Sequence, residues 1–276
     1  MHKSLLTFLI GTAFWATSCG DSSDPTPAPK PDPVIVSSLK VMAYNIHHCN
    51  PPSRPDLIDV NAIANVINGE KPDLVALQEV DVNTQRSGIG NQAQQLAAKV
   101  GMQYYFAKSI DYQGGQYGVA ILSKYPLSDA ASVSLPMQAA SGGEPRVLAT
   151  AKVTLTDGTQ LRFGSTHLDA QSDPANRQLQ IDKIADLASK ESLPFIIAGD
   201  FNATPGSEVI NTLDRSFKRT CIACAPTIPV VNPTRAIDFI AYRHPANKFS
   251  VVSHKVVNEQ YASDHRPVVA VIGIEK

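Results

Sequence analysis

Asn45, Glu79, His167, Asp200, Asn202, Asp238, Asp264 and His265 each stand at or beside the end of an expected strand. Carboxylates, carboxamides and two imidazoles gathered along one sheet edge suit a hard divalent cation. Mg²⁺ prefers oxygen ligands and takes only one or two carboxylates, keeping its other positions for water and phosphate. Phosphoester hydrolysis then needs a base to prepare water and donors that balance charge on the equatorial oxygens. Asp238 lies between Ile237 and Phe239, where a buried carboxylate is costly without a partner. Asp200 and Asn202 follow the apolar run Phe195–Ala198 and Gly199. Alternation in an extended backbone points both at one spot. Alone, the same stretch reads equally as a capped turn, because Asp and Asn favour turns. The partners elsewhere in the chain favour chemistry.

The elements that must position these residues are legible as patterns. Phe195–Ala198 is apolar on both faces and belongs at the centre of a layered fold. Further strands are expected at Leu39–Ile46, Asp73–Val80, Tyr117–Ser123, Leu127–Leu135, Arg146–Leu155, Gln160–His167, Ala236–Tyr242, Phe249–Val257 and Pro267–Ile274. Thr156-Asp157-Gly158-Thr159 is a hairpin signal between two of them. Helical periodicity covers Asp56–Asn68, Asn91–Val100 and Pro174–Ser189, with a shorter piece at Ser207–Leu213. With no internal repeat or second linker, residues 34–276 read as one domain, two packed sheets covered outside by helices.

Seven motifs occur in order: Met42-Ala43-Tyr44-Asn45, Leu77-Gln78-Glu79-Val80, Tyr117–Ser123, Ser165-Thr166-His167-Leu168-Asp169, Gly199-Asp200-Phe201-Asn202, Ile237-Asp238-Phe239 and Ser263-Asp264-His265-Arg266-Pro267. In this the chain resembles the endonuclease/exonuclease/phosphatase (deoxyribonuclease-I-like) superfamily over nearly all of Leu39–Ile274. The resemblance implies an α/β fold, a four-layer α/β/β/α sandwich of two packed mixed sheets flanked by helices. It implies Glu79 as the main Mg²⁺ ligand (Mn²⁺ being the alternative), aided by Asn45 and Asp264 directly or through water. Asp238 would orient and charge-stabilise His265. His265 would be a general base or a phosphate donor, with Asp200 the other candidate base, while Asn202 and His167 hold phosphate oxygens. Tyr117 and Arg146 match substrate-contact positions, and His47 with its neighbour His48 lines the pocket mouth. Arg177 and Gln180, sharing a helix face, read as structural.

Residues 1–18 carry Lys3, an apolar run from Leu5 to Trp15, and small residues ahead of Cys19. The run is short for a membrane span and reads as a signal peptide. Its end resembles a bacterial lipobox, implying acylation at Cys19 and a tether to a membrane. The Pro-, Ser- and Asp-rich residues 19–33 make an extended spacer. Together these place the protein in the bacterial cell envelope, outside the cytoplasm. There Cys221 and Cys224 are expected to form a local disulfide. A zinc centre joining them to His47-His48-Cys49 is the lesser reading.

The formal net charge is −1, and −2 without the leader's Lys3. Stable nucleic-acid binders usually carry a basic excess, so no stable nucleic-acid partner is expected, and a monomer is. The first functional reading is a metal-dependent phosphodiesterase or phosphatase acting on a small or lipid-linked phosphate ester. The alternatives are a secreted nuclease and a catalytically inactive binding lipoprotein.

Overall fold

Strand β1 (Ile35–Asn45) shows how the layers arise. Its Leu39, Val41 and Ala43 face one apolar cluster while Met42 and Tyr44 face another, the period-two alternation of an extended chain. Such a strand is covered on both sides. This computed structural model describes Met1 and residues 35–138 and 142–275; the expected signal peptide beyond Met1 and the whole of the expected linker, Cys19 included, lie outside the described residues.

After β1 come α1 (Val60–Glu70), β2 (Leu74–Val82), α2 (Gln92–Val100), β3 (Gln103–Tyr112) and β4 (Gly115–Ser123). Then follow β5 (Leu127–Ser134), β6 (Val147–Thr154), β7 (Gln160–His167), α3 (Ala175–Lys190), β8 (Phe195–Asp200) and α4 (Glu208–Ser216). The chain finishes with β9 (Lys218–Arg219), β10 (Asp238–Arg243), β11 (Phe249–Val256) and β12 (Val268–Glu275). One sheet runs β11-β12-β1-β2-β4-β3 and the other β5-β6-β7-β8-β10-β9. Each is mixed, with a single parallel pair: β1 with β2, and β7 with β8. Inward residues of both sheets form the central core. Ile63, Ile67 and Leu96 of α1 and α2 cover the first sheet, and Ile184, Ile210 and Leu213 of α3 and α4 cover the second. The result is the expected four-layer α/β/β/α sandwich.

Two local departures have clear causes. The expected helix at Asp56 starts only at Val60, capped by Asp59 Oδ1 accepting from Ala62 N–H at 2.9 Å. The preceding residues are held as a turn instead, because Asn50 Nδ2 donates to the carbonyls of Arg54, Pro55 and Leu57. The second departure is β3, an edge strand that the sequence pattern does not announce. Only Ala107 among its ten residues is buried, so it lacks the apolar alternation by which strands are recognised.

Gly199 sets the spacing at the site end of the second sheet. A Cβ there would stand 2.0 Å from the Thr166 carbonyl oxygen on β7. Gly199→Ala must therefore part the β7–β8 pair, and a loss of about 3 kcal/mol is expected in urea unfolding. An unchanged midpoint would show that this register tolerates a side chain.

Candidate active site

The ladder itself assembles half of the site. Asp200, the last residue of β8, is registered against His167 on one side and Asp238 on the other. All three are buried. Asp200 Oδ2 accepts from Asn45 Nδ2 at 3.2 Å and lies 3.5 Å from His167 Nε2 and 3.7 Å from His265 Nε2. His265 Nδ1 donates to Asp238 Oδ2 at 2.9 Å, and Thr227 Oγ1 donates to the same oxygen at 2.5 Å. Burial and the neighbouring Asp238 charge push the Asp200 carboxyl up to about 7, against the opposing pull of His265. Burial disfavours the His265 imidazolium, yet the Asp238 charge and hydrogen bond, with Asp200 behind them, lift it to about 10. His167 goes the other way: burial, then the charges of Arg146 and His265, hold it well below its usual range. It is a neutral imidazole, so its approach to Asp200 is not an ion pair.

Asn202 corrects the alternation argument. The extended backbone ends at Asp200, and Asn202 takes a left-handed conformation with φ 47°. Its N–H donates to Asp200 Oδ1 at 2.8 Å and its Nδ2 to the Leu168 carbonyl at 3.0 Å. The Asp200 side chain thus holds the Asn202 backbone in an Asx turn, and the two residues do not share a strand face.

Glu79 supplies the other half. It lies in β2 at a register shift between Leu77 and Val80 and has φ 57°. A bulge of this kind re-aims a side chain beside a site, and here Glu79 Oε1 accepts from Asn45 Nδ2 at 3.0 Å. Asn45 therefore bridges Glu79 and Asp200. Its Oδ1 is engaged by the His47 N–H at 3.1 Å, so as it stands it orients the carboxylates through its amino group. Gln78 Nε2 donates to Ser165 Oγ, and Ser165 Oγ to the Leu77 carbonyl, tying the two sheets together behind the site.

A profile for the endonuclease/exonuclease/phosphatase family matches residues 42–265 of this chain. The chain belongs to that family. YbhP, an uncharacterised protein of Escherichia coli K12, is 26% identical over 257 residues, covering 88% of this chain and 99% of its own. An endonuclease/exonuclease/phosphatase from Beutenbergia cavernae superposes with a TM-score of 0.73 at 23% identity, over 86% of this chain and 72% of that one. A mannosyl-6-phosphatase of Bacteroides thetaiotaomicron does so with 0.69 at 19%, over 85% and 99%. These likenesses show the fold. Members of the family are hydrolases acting on phosphoester bonds and typically depend on a divalent metal.

The donor set here fits such an ion. The half-buried Glu79 carboxylate has ligand atoms within 4.8 Å of those of His47 and His48. Asp264, expected beside Glu79, joins neither cluster of closely spaced ligand atoms among the described residues; Ser263 Oγ approaches its Oδ1 at 3.4 Å. Cys49 is buried and free, its thiol pushed up by burial and by Asp81 and Asp59. Cys221 and Cys224 are disulfide-bonded to each other. Both facts overturn the zinc reading, since neither sulfur of that bridge can ligate an ion shared with Cys49. Arg177 Nη1 donates to the Asp169 and Gln171 carbonyls, and Gln180 Oε1 accepts from the Asp169 N–H, so this pair holds the loop after His167.

Tyr117 and Arg146 meet beside the site, where Arg146 hydrogen-bonds the Tyr117 hydroxyl and its Nη1 lies 3.0 Å from Glu144 Oε1. Sequence reasoning missed the next layer. A recess of about 100 Å³ is lined by Arg86, Tyr112, Tyr117 and Glu144. The Arg86 guanidinium stands 4.7 Å from the Tyr112 ring centre and 5.5 Å from that of Tyr117. The buried Asp81 pins it from below, at 2.7 Å from Nε and 3.0 Å from Nη2. Asp81 is registered opposite Tyr117 across β2 and β4, a pairing invisible without the fold.

Burial alone would raise the Asp81 carboxyl, but hydrogen bonds from Arg86, Ser87 and Thr84 hold it below its usual range. Its stabilising share is full above the unfolded-state value and is lost as the pH falls through the folded one. Arg86→Ala removes the charge and the largest of those hydrogen-bond contributions, leaving a buried Asp81 with Ser87 and Thr84 alone. That variant should lose about 3 kcal/mol, with the deficit larger near about pH 8 than near about pH 4. Urea melts at the two pH values check the difference.

Proposed function

We propose that this protein is a divalent-metal-dependent phosphoesterase of the bacterial cell envelope, acting on a small or lipid-linked phosphate ester. The observation that carries the reading is the Asp238–His265–Asp200–Asn45–Glu79 chain of contacts. It joins a charged imidazole, a candidate base and a carboxylate suited to a cation where strand ends of the two sheets meet. The leader supports the envelope location and a lipid anchor at Cys19. The near-neutral charge supports a compact substrate over a clamped polymer. The mannosyl-6-phosphatase shares the fold and is named for acting on a small phosphomonoester, the substrate class favoured here.

A bound divalent ion supplies positive charge that offsets the charge of the phosphoryl group. Asp200 takes the proton of the attacking water at Oδ2, because Oδ1 is committed to the Asn202 N–H. His265, flanked by Asp238 and Asp200, stays charged and donates from Nε2 to a phosphate oxygen. Neutral His167 donates from the opposite side, and Asp238 fixes the His265 tautomer. Tyr117 and Arg146 contact the ester's leaving side. The enzyme is expected to work as a monomer with no stable nucleic-acid partner.

A substrate panel with Mg²⁺ or Mn²⁺ tests this. It should span sugar phosphates, inositol phosphates, sphingomyelin, RNA and plasmid DNA. Turnover of the small or lipid esters, abolished by chelation, is the expected result. Cleavage of nucleic acid alone would replace this reading with the nuclease one, and turnover that survives chelation would sink the mechanism.

A further inference from the structure

The turn that follows Asn45 is built against backbone preference. His47, His48 and Cys49 have φ of 45°, 43° and 59°, a run of left-handed residues without a glycine. Each such residue costs about 1 kcal/mol or more and persists only where its surroundings over-determine it. Here they do. Asn50 Nδ2 gathers three carbonyls from the following loop. The Asp59 N–H donates to the Cys49 carbonyl at 2.7 Å. Gln92 Nε2 donates to the His48 carbonyl at 2.7 Å while its Oε1 accepts from the Asp81 N–H. The same glutamine thus locks the turn to the strand that carries Glu79.

What the turn achieves is the placement of two adjacent imidazoles on one carboxylate. The rings of His47 and His48 are 4.5 Å apart, and one ligand atom from each lies within 4.8 Å of Glu79. His47 Nδ1 is 2.8 Å from the Asn50 carbonyl oxygen. A carbonyl can only accept, so Nδ1 carries the proton and Nε2 keeps its lone pair. An imidazole that donates its far N–H to a carbonyl is the usual support of a metal-ligating histidine. His48 Nδ1 is buried with no hydrogen-bond partner among the described residues, and its ring packs edge-on against that of His47. The nearby Arg86 charge is neutralised by its two bonds to Asp81.

We propose that His47, His48 and Glu79 together hold the site's divalent ion, making it a first-row metal such as Zn²⁺ or Fe²⁺ in preference to Mg²⁺. Two imidazoles with one carboxylate is a donor set for Zn²⁺ or Fe²⁺, whereas Mg²⁺ takes oxygen ligands. The inference rests on the same site as the proposed phosphoesterase and changes its metal.

The test is binding, separate from turnover. Zn²⁺ affinity is measured on the full chain by competition with a chromogenic chelator, and Mg²⁺ affinity by calorimetry. His47→Ala and His48→Ala should each weaken Zn²⁺ by about tenfold or more while Mg²⁺ affinity stays nearly constant; Glu79→Gln should weaken both. The electron spin-echo spectrum of bound Mn²⁺ in the unmutated protein should carry nitrogen modulation, a readout that needs no variant to fold. Equal Zn²⁺ affinity in the histidine variants, or no nitrogen modulation, overturns the proposal. Histidine-dependent binding without hydrolysis of any ester would remove the functional reading and leave this one standing. Hydrolysis with histidine-independent binding would do the reverse.

Discussion

Asp200→Asn should lower kcat by about 10²- to 10⁴-fold, the range for losing a general base, with KM changing little. The substitution keeps the size of the side chain and the oxygen that accepts the Asn202 N–H. It removes the charge that Asn45, His167 and His265 surround. Two further readouts separate this from a folding defect. First, Asp200 helps to raise the His265 pKa, so in metal-free Asp200→Asn the histidine should titrate lower, as followed by its imidazole resonances in NMR. Second, a carboxyl raised to about 7 in the folded state holds its proton more tightly there than when unfolded. Its contribution therefore turns unfavourable as pH rises from the unfolded carboxylate range toward about 7. The metal-free variant should lack that fall in stability. A variant with full turnover, or with an unmoved His265 titration, contradicts the role assigned to Asp200.

Half of this arrangement is readable in the chain because strand ends are readable. Apolar runs that stop at Asn45, His167 and Asp200 predict where polar groups emerge, and a layered fold brings such ends together. That Asp238 needs a partner follows from the cost of burying an unpaired carboxylate; that the partner is His265 is what the family resemblance implies, and the structure shows that bond at 2.9 Å. What stays hidden depends on conformations with no residue signature. The left-handed run at His47–Cys49 contains no glycine or asparagine, and its support comes from Asn50, Asp59 and Gln92, two of them distant in sequence. Arg86 and Asp81 look like ordinary surface charges until β2 and β4 pair and set Asp81 against Tyr117. The edge strand β3 is invisible because it is half exposed.

Glu79→Gln should abolish metal-dependent turnover at ordinary metal concentration, with a loss of about 10³-fold or more, comparable to deleting a principal electrostatic group. The mutation is chosen because the carboxamide oxygen can still accept from Asn45 Nδ2, and the left-handed backbone at this position is retained. Only the charge and its affinity for a cation are removed. Stability measurements then discriminate. In the unmutated protein a bound ion stabilises the native state by RT ln(1 + [L]/Kd), about 2.7 kcal/mol at a hundredfold excess over Kd. In Glu79→Gln that increment should vanish while the metal-free protein melts no lower. Beyond burial, the Glu79 charge also raises the carboxyl of Glu144 and the hydroxyl of Tyr117 nearby, so losing it relieves repulsion there. A variant that is destabilised without metal yet keeps its full metal-induced increment would place the ion elsewhere and reduce Glu79 to a structural residue. The opposite pairing, an unharmed fold that no longer responds to metal, ties the cation to the bulge in β2.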